Sequence, residues 1–379
     1  MCIVLLRGTG SFKMKKILFL TPFVPSKRAG GENYTRQLIE QISKKNQIDL
    51  VYFLYGNDFL YQKPNENIRI VNLVFNSLFL KIKHALLHPF THPIFSVRFS
   101  WRLLKELKKL IAENHYDVLY LDHSQMFMYG KFFPEIPKLL MSHDVMAQRF
   151  YRSGNWLSRK MILHGENKLM NMPNSKVFTF SEKDRKIIKE SYGIDSLVTN
   201  FFLDESIKNA TPKKIEKKLV FFGKWNRADN FDGLKWFFDN VFNKIDSDFQ
   251  IAIIGKWLPR DFQNRINAYT NVAYLDFVDN PYTIIANSWA TISPLFSGAG
   301  VKVKVIESLA CGTPVIGNDI SFEGISPLYN EFMHNVKSAD DFTNEINKLS
   351  VSIEERIRFK KMFLDNYQEN AIMDFIEQI

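Results

Sequence analysis

The chain has 379 residues, 46% hydrophobic and 24% charged, a composition that excludes a disordered or collagen-like protein. Its two cysteines exclude a disulfide scaffold, and no apolar run reaches the roughly 18–20 residues that cross a bilayer. At roughly 100–200 residues per domain, the length predicts two or three domains. Together these features predict a cytoplasmic protein.

The net charge of +10 is unevenly distributed along the chain. Residues 1–200 carry 30 Lys and Arg against 16 Asp and Glu, a balance of +14, whereas residues 201–379 carry 20 against 24, a balance of −4. A basic half attracts anionic partners such as nucleic acid, acidic lipid or a phosphorylated substrate, although a solvated basic surface explains the same excess. No recognised RNA- or DNA-binding module accompanies it, so nucleic acid is not expected as a partner.

Strands and helices alternate through the first half of the chain. Residues 1–13 are predicted to be an extension, with Met14 as an alternative start. Short apolar runs predict strands at 17–21, 50–54, 68–74, 117–121, 138–141 and 176–180. Gly30 and Gly31 predict a loop before the first helix, and Ser181 is predicted to cap a later one.

A break near residue 200 separates a second alternation from the first. The segment 208–218 holds five lysines and predicts an exposed linker. Strands follow at 219–222, 250–254, 272–275, 290–293 and 314–316, helices at 229–242 and 301–310, and a helical tail at 353–379. The predicted fold is therefore α/β, with two parallel sheets in domains 1–200 and 201–350, and with helices 351–379 packing back toward the first domain.

The most informative stretch lies between residues 295 and 318. A strand runs into the Gly298-Ala299-Gly300 loop, and a helix is predicted from Val301. Glycines allow close backbone approach, and the free N–H groups of a helix N-terminus suit a phosphate. Lys302 and Lys304 add positive charge, and Glu307 can accept hydrogen bonds from the hydroxyls of a sugar or ribose. A glycine turn followed by a solvated Lys/Glu helix is the alternative.

The run from Gly298 through Glu307 to Gly312-Thr313-Pro314 resembles the donor-binding motif of GT-B glycosyltransferases of the family 4 type. The strand before Gly30-Gly31 and the Phe221–Trp225 segment resemble other parts of that family, as does Ser142-His143-Asp144. Most of residues 14–320 are covered in order. The resemblance implies two Rossmann-like domains facing each other across a cleft, and transfer of a sugar from a nucleotide-sugar, with retention, to an acceptor held by the first domain.

The resemblance also implies roles for individual residues. Glu307 would bond the ribose hydroxyls, and His143 would touch the transferred sugar. The donor phosphates would meet the backbone of two glycine loops and several cations, and the residues of this group are Gly30, Gly31, Lys224, Arg227, Gly298, Ala299, Gly300, Val301, Lys302 and Lys304. His143 and Lys224 are the predicted catalytic residues. A loop histidine without a role, and Asp144 as a helix cap, remain alternatives.

Three positions depart from the family pattern. Ala299 replaces a glutamate that contacts the donor sugar. Asp229 replaces a second phosphate-binding lysine, for which Arg227, Lys302 or Lys304 could substitute. Asp276 stands where a glycine is common near the base.

No metal or other cofactor is expected, because cations can meet the charge of the leaving diphosphate. The Asp-x-Asp triplet at residues 246–248 lies in a turn before a strand and is interpreted as solvated. No Cys/His cluster has zinc spacing.

The segment 76–112 alternates basic and apolar residues and includes Trp101. It predicts either a helix that lies on anionic lipid or a helix packed on the first sheet with solvated lysines. The lipid interpretation fits a lipid-linked acceptor and a peripheral place on the inner face of the plasma membrane.

The predicted function is a retaining glycosyltransferase of bacterial surface polysaccharide or lipopolysaccharide assembly, with a glycan or lipid-linked acceptor. A nucleotide-sugar epimerase and a non-catalytic nucleotide-sugar-binding subunit are the alternatives. The missing carboxylate at Ala299 makes the non-catalytic subunit plausible.

Overall fold

The structure is a computed structural model that describes residues 14–28, 30–56, 58–88, 91–148, 156–298, 300–367 and 370–379. The predicted extension 1–13 and Ala299 lie outside these ranges. Within them, the strands form two parallel sheets covered by helices, one in each half of the chain. Two Rossmann-like α/β domains are thus confirmed.

The first sheet has seven parallel strands in the order β3-β2-β1-β4-β5-β6-β7 among the described residues. Its strands are Lys16–Thr21 (β1), Gln47–Tyr55 (β2), Ile68–Asn76 (β3), Val118–Asp122 (β4), Lys138–Met141 (β5), Ser175–Thr179 (β6) and Leu197–Val198 (β7). Its helices are Gly30–Ile42 (α1), Leu78–Leu86 (α2), Pro93–Ser96 (α3), Trp101–Glu113 (α4), Phe127–Gly130 (α5), Trp156–Met170 (α6), Glu182–Tyr192 (α7) and Glu205–Asn209 (α8). Helices cover both faces of the sheet, so central strands such as β4 are buried along their whole length.

The second sheet has six parallel strands in the order β10-β9-β8-β11-β12-β13, all within the described ranges. Its strands are Glu216–Phe222 (β8), Gln250–Ile254 (β9), Val272–Tyr274 (β10), Ser288–Ser293 (β11), Val315–Gly317 (β12) and Met333–Asn335 (β13). Its helices are Ala228–Asn240 (α9), Arg260–Ile266 (α10), Tyr282–Ala286 (α11), Val303–Ala310 (α12) and Ala339–Lys348 (α13), with 3₁₀ turns at Phe242–Lys244 and Pro327–Phe332.

Two C-terminal helices contact both halves of the chain. Ile353–Asn366 (α14) packs on α12 of the second half, and Ser352 caps its first turn with Glu355. Ala371–Gln378 (α15) brings the ring of Phe375 to 5.7 Å from the ring of Phe178 in β6. One apolar core therefore continues from the first sheet through these helices to the second sheet. No helix in the described residues is long and apolar enough to cross a membrane.

Several predicted boundaries were wrong. Gly30 and Gly31 are the first residues of α1 rather than part of the preceding loop, and α12 begins at Val303 rather than at Val301. The predicted C-terminal helices are α14 and α15.

The predicted lysine-rich linker is shorter than expected, because its ends belong to α8 and β8 and only residues 210–215 lie between them. The ammonium group of Lys360 in α14 donates to the carbonyls of Ile207 at 2.8 Å and Ala210 at 2.5 Å. These two buried hydrogen bonds hold the start of the connection against the core. The number of lysines alone therefore overestimates the solvent exposure of the connection.

Candidate active site

The candidate site lies at the carboxyl ends of central strands in both sheets. Gly30 follows β1 and His143 follows β5 in the first half, whereas Lys224 follows β8 and Gly298 follows β11 in the second. Parallel strands end at one edge of a sheet, and ligands of such folds bind at that edge. These four residues, which the sequence analysis predicted as site residues, therefore lie at the ligand-binding edges of the two sheets.

The two glycine-containing segments approach each other closely. A Cβ atom built on Gly30 would lie 3.0 Å from Cγ2 of Val303, the first residue of α12. A Cβ atom on Gly300 would lie 2.3 Å from Oδ1 of Asp144 and 3.3 Å from the carbonyl oxygen of His143. Any larger residue at either position would push the facing loops apart, so glycine is needed here for contact between the two halves.

Glu307 is a buried residue of α12, with 8% of its surface exposed. The hydroxyl of Tyr282 in α11 donates to its Oε1 at 3.0 Å. Burial raises the pKa of Glu307 to about 7, the hydrogen bond from Tyr282 opposes the rise, and the nearby charge of Asp204 adds to it. Within the part of the chain that the structure describes, Tyr282 is the hydrogen-bond partner of one carboxylate oxygen, so the other oxygen can accept from a ligand hydroxyl.

Lys304 and Lys224 are two cations of the site with different surroundings. Lys304 is half-buried, and its ammonium group donates to Oδ1 of Asn230 in α9 at 3.0 Å. Burial, partly offset by Asp229, lowers the pKa of Lys304 to about 8. The ammonium group of Lys224 lies 4.8 Å from the centre of the Trp257 ring, which attracts it.

Arg227 and Lys302 are engaged by neighbouring groups. The guanidinium of Arg227 makes two hydrogen bonds, at 3.0 and 2.8 Å, to the carboxylate of Asp229, which stands where the related motif has a cation. The ammonium group of Lys302 donates to the carbonyl of Gly300 at 2.5 Å and lies 3.7 Å from Glu323. A diphosphate would therefore compete with protein groups for both cations.

The loop that contains Gly298 and Gly300 leads into the N-terminus of α12. Gly298 has a φ of 112° and Gly300 a φ of 69°, conformations that disfavour residues with a Cβ. Val301 and Lys302 connect this loop to α12, and no side chain of the described residues caps the free N–H groups of the helix. These N–H groups carry a partial positive charge, so they can bind an anion.

His143 contacts a buried carboxylate at the end of β4. Its Nε2 lies 2.8 Å from Oδ1 of Asp122, which is fully buried. The ring of His123 stacks on the ring of His143, with centres 3.4 Å apart and planes inclined by 12°. The distance along the chain conceals from the sequence that Asp122 and His123 both contact His143.

The carboxylate of Asp122 and the ring nitrogens of His123 and His143 all lie within 4.8 Å of one another, close enough for a metal site. The ring planes are nearly parallel and 3.4 Å apart. Zinc bonds of about 2.0–2.1 Å need a ring nitrogen whose lone pair points at the ion, which two stacked rings cannot both provide. The arrangement is therefore that of a hydrogen-bonded group, and metal ligation would require the rings to separate.

Two further carboxylates support the site and had no local signal in the sequence. Glu166 of α6 accepts from the backbone N–H groups of Met146 at 2.9 Å and Ala147 at 3.0 Å. These N–H groups follow Asp144, so Glu166 bonds the turn that comes after it. Glu323 of the second half pairs with Lys183 of the first half and accepts from Gln148 at 3.3 Å, which links the two halves beside the site.

Asp276 occupies a position whose backbone favours glycine. Its φ is 48°, and its carbonyl accepts from the N–H of Gly255 at 2.7 Å. Asp tolerates this left-handed conformation better than most residues, which accounts for its presence where the related motif has glycine.

Two families of known proteins match the chain, and between them they cover most of its length. Residues 28–200 match the glycosyltransferase family 4 family, and residues 216–351 match the glycosyl transferases group 1 family. No curated protein matches the chain.

Solved structures match nearly the full chain at low identity. HepE of Anabaena, in complex with UDP and glucose, has a TM-score of 0.65 and 13% identity over 93% of this chain and 95% of its own. WaaG, a glycosyltransferase involved in lipopolysaccharide biosynthesis, has a TM-score of 0.64 and 10% identity over 95% and 98%. TarM of S. aureus, in a complex that includes UDP, has a TM-score of 0.66 and 13% identity over 95% and 98%.

At these identities the solved structures show the fold alone, and they agree with two Rossmann-like domains of the GT-B type. The two family matches lie one in each half of the chain, and the predicted donor motif lies within the second. The chain therefore belongs to the family 4 type of GT-B glycosyltransferases.

Proposed function

We propose that this glycosyltransferase transfers a sugar, with retention, from a nucleoside diphosphate sugar to a glycan or lipid-linked acceptor in bacterial surface polysaccharide synthesis. The observation that carries the proposal is the buried Glu307 in α12. Among the described residues, one of its carboxylate oxygens has no hydrogen-bond partner, and no side chain caps the N–H groups at the start of the same helix. An acceptor for ribose and a binding site for phosphate thus occur on one short element. Retention is proposed from the family membership.

The leaving diphosphate needs positive charge that is in place before the sugar departs. We assign this role to the N-terminus of α12 and to the ammonium groups of Lys224 and Lys304. These groups are fixed by the protein, since Lys304 is held by Asn230 and Lys224 by the ring of Trp257. Because they supply the charge, the proposed reaction needs no metal ion.

His143 is proposed to contact the transferred sugar from the first half of the chain, across from Gly298 and Gly300. The contact of Gly300 with the His143-Asp144 segment supports this placement. The acceptor would then enter from the first half, which carries the basic excess of the sequence. Of the alternatives open at the level of sequence, the family membership favours a transferase over an epimerase or a binding subunit.

A panel of nucleotides tests the donor assignment. HepE has been solved with UDP-glucose, and TarM with UDP, which makes a uracil nucleotide the first candidate for this chain. We expect UDP or GDP to raise the melting temperature, because a ligand that binds only the native state stabilises it. Hydrolysis of UDP-glucose, UDP-N-acetylglucosamine or GDP-mannose would then be measured without acceptor. If none of these nucleotides or nucleotide-sugars stabilises the protein, the donor assignment is wrong.

The membrane part of the proposal rests on α2. No residue of this helix is buried, and Leu78, Phe79 and Leu86 are 74–75% exposed. In contrast, α4 buries three leucines on the first sheet, so the two interpretations of segment 76–112 apply to different helices. Exposed basic residues occur in the same segment, namely Lys83 in α2 and Arg102, Lys105, Lys108 and Lys109 in α4. This combination fits a bilayer that contains anionic lipid.

Vesicle sedimentation tests this surface. We expect binding to vesicles that contain phosphatidylglycerol, weaker binding at high salt, and a loss of binding in Phe79→Asp because a charge replaces a side chain that enters the lipid. Leu328→Asp is the matched control, since Leu328 is an exposed apolar residue of the second half. Equal binding to neutral vesicles, or an unchanged Phe79→Asp variant, would contradict the proposal.

A further inference from the structure

Asp122 is a buried carboxylate that is held by donors on three sides. The hydroxyls of Thr21 and Thr35 donate to its Oδ2 at 2.9 and 2.7 Å, and the ring Nε2 of His143 lies 2.8 Å from its Oδ1. Burial opposes the charge, but the neighbouring histidines and these hydrogen bonds outweigh it and lower the pKa of Asp122 to about 2. Nε2 of His143 faces a carboxylate, so this nitrogen carries a proton, and Nδ1 is left for another partner.

His123 is held in an unfavourable backbone conformation directly beside this group. Its φ is 60°, which is uncommon for residues other than glycine. Its Nε2 is buried and has no hydrogen-bond partner in the described part of the chain. Burial and the neighbouring ring of His143 lower the pKa of His123 to about 3, so the ring is neutral at physiological pH. A strained residue with an unpartnered buried nitrogen indicates a functional position.

Gly31 leaves space next to both rings. A Cβ atom built on Gly31 would lie 3.6 Å from Nδ1 of His143 and 3.7 Å from Nε2 of His123. Two ring nitrogens therefore border the space that any other residue would partly fill. That space lies at the N-terminus of α1, next to Gly30, which contacts the first residue of α12.

We propose that His123 is a second sugar-binding residue, that its Nε2 and Nδ1 of His143 each bind a hydroxyl of the transferred sugar beside Gly31, and that Asp122 is the positioning residue of His143. This inference rests on the proposed function. A hydroxyl group can donate to or accept from a ring nitrogen, so neighbouring hydroxyls of one sugar suit a pair of stacked histidine rings. The site therefore selects donors that carry a hydroxyl at this point of the sugar, and it rejects the corresponding deoxy-sugars.

Binding constants of nucleotides and nucleotide-sugars test the role of His123. The substitution His123→Asn is suitable because asparagine tolerates a positive φ. Calorimetry would compare UDP with UDP-glucose, UDP-galactose and UDP-N-acetylglucosamine, and GDP with GDP-mannose. We expect the affinity for UDP or GDP to stay within twofold of the wild type, which also shows that the variant is folded. The affinity for the preferred nucleotide-sugar should fall at least tenfold, whereas the control His115→Asn, at an exposed histidine, should bind as the wild type does.

The possible outcomes separate this inference from the proposed function. If the wild type binds neither UDP nor GDP, the proposed function itself is wrong. For each pair, the affinity for the nucleotide-sugar is divided by the affinity for the nucleotide. If nucleotides bind but this ratio in His123→Asn stays within twofold of the wild-type ratio for every pair, the sugar-binding role of His123 is wrong. One equivalent of zinc in the purified wild type, absent from His123→Asn, would overturn the inference in favour of a metal site.

The positioning role of Asp122 has a separate readout. Nitrogen-15 spectra of the imidazole rings report which nitrogen of His143 carries the proton. We expect Nε2 to be protonated in the wild type and both nitrogens to share the proton in Asp122→Asn, where the carboxylate is gone. An unchanged proton position in Asp122→Asn would contradict the positioning role, since a merely structural residue would leave it unaltered.

Discussion

Replacing Glu307 by glutamine should weaken nucleotide binding by an amount that depends on pH. Tyr282 already donates to one carboxylate oxygen at 3.0 Å, so one oxygen is left for a ribose hydroxyl. A hydrogen bond to a charged group contributes about 1.5–3 kcal/mol and a neutral one about 0.5–1.5 kcal/mol. Glutamine keeps the shape and an acceptor but loses the charge, so we expect a loss of about 1.4 kcal/mol, or about tenfold in affinity, where Glu307 is fully ionised.

The pH dependence follows from the raised pKa of Glu307, about 7, which burial causes. The wild type has the full advantage only where the carboxylate is ionised, above this value. The wild type should therefore bind about tenfold more tightly than Glu307→Gln at pH 8.5, about fivefold at pH 7 and about twofold at pH 6. Affinity rises with pH because binding favours the ionised form.

Calorimetric titration with UDP, or with GDP if only GDP stabilises the protein, measures these ratios. The ratio of the two proteins cancels the titration of the nucleotide's own phosphate. Glu331→Gln is the matched control, because Glu331 is an exposed glutamate of the same half that pairs only with Arg358 among the described residues. A ratio below twofold at pH 8.5, or one that is equal at all three pH values, would refute the assignment of Glu307 to the ribose.

Three further predictions concern stability. Without nucleotide, the wild type should lose stability relative to Glu307→Gln as pH rises from about 4.5 to 7, because the folded chain holds the proton more tightly than the unfolded chain; melting temperatures at pH 5 and pH 8 test this. Gly300→Ala should lower the free energy of unfolding by about 1–2 kcal/mol through its positive φ alone. The added methyl should also weaken UDP binding, because the new Cβ would lie 2.3 Å from the carboxylate of Asp144. Adding Asp144→Ala should restore UDP binding but not the free energy of unfolding. If neither is restored, the result argues against the contact between Gly300 and Asp144. Arg356→Met removes donors at 2.6 and 2.7 Å from two buried carbonyls, so urea unfolding should show a loss of about 1–3 kcal/mol, and the exposed Arg358→Met should show almost none.

Much of the fold could be predicted from local patterns. The strands β5 and β9 were predicted with the bounds they have, because short buried runs flanked by polar residues need a sheet to cover them. Ser181 was predicted as a cap, and its hydroxyl accepts from the N–H of Asp184 at 3.0 Å. The two short strands β7 and β13 were missed, because runs of two or three residues carry no periodicity.

The sequence alone determined the two α/β halves, the glycine loop with its following helix, and the presence of Glu307 on that helix. These features depend on residues that are close together in the chain, where spacing and composition are informative. Only the tertiary structure decided that Lys304 donates to Asn230, 74 residues away, and that Tyr282, 25 residues from Glu307, donates to one of its carboxylate oxygens. It also joined Asp122 and His143 across 21 residues. Hydrogen bonds and burial depend on distance in space, which packing sets and which no local pattern encodes.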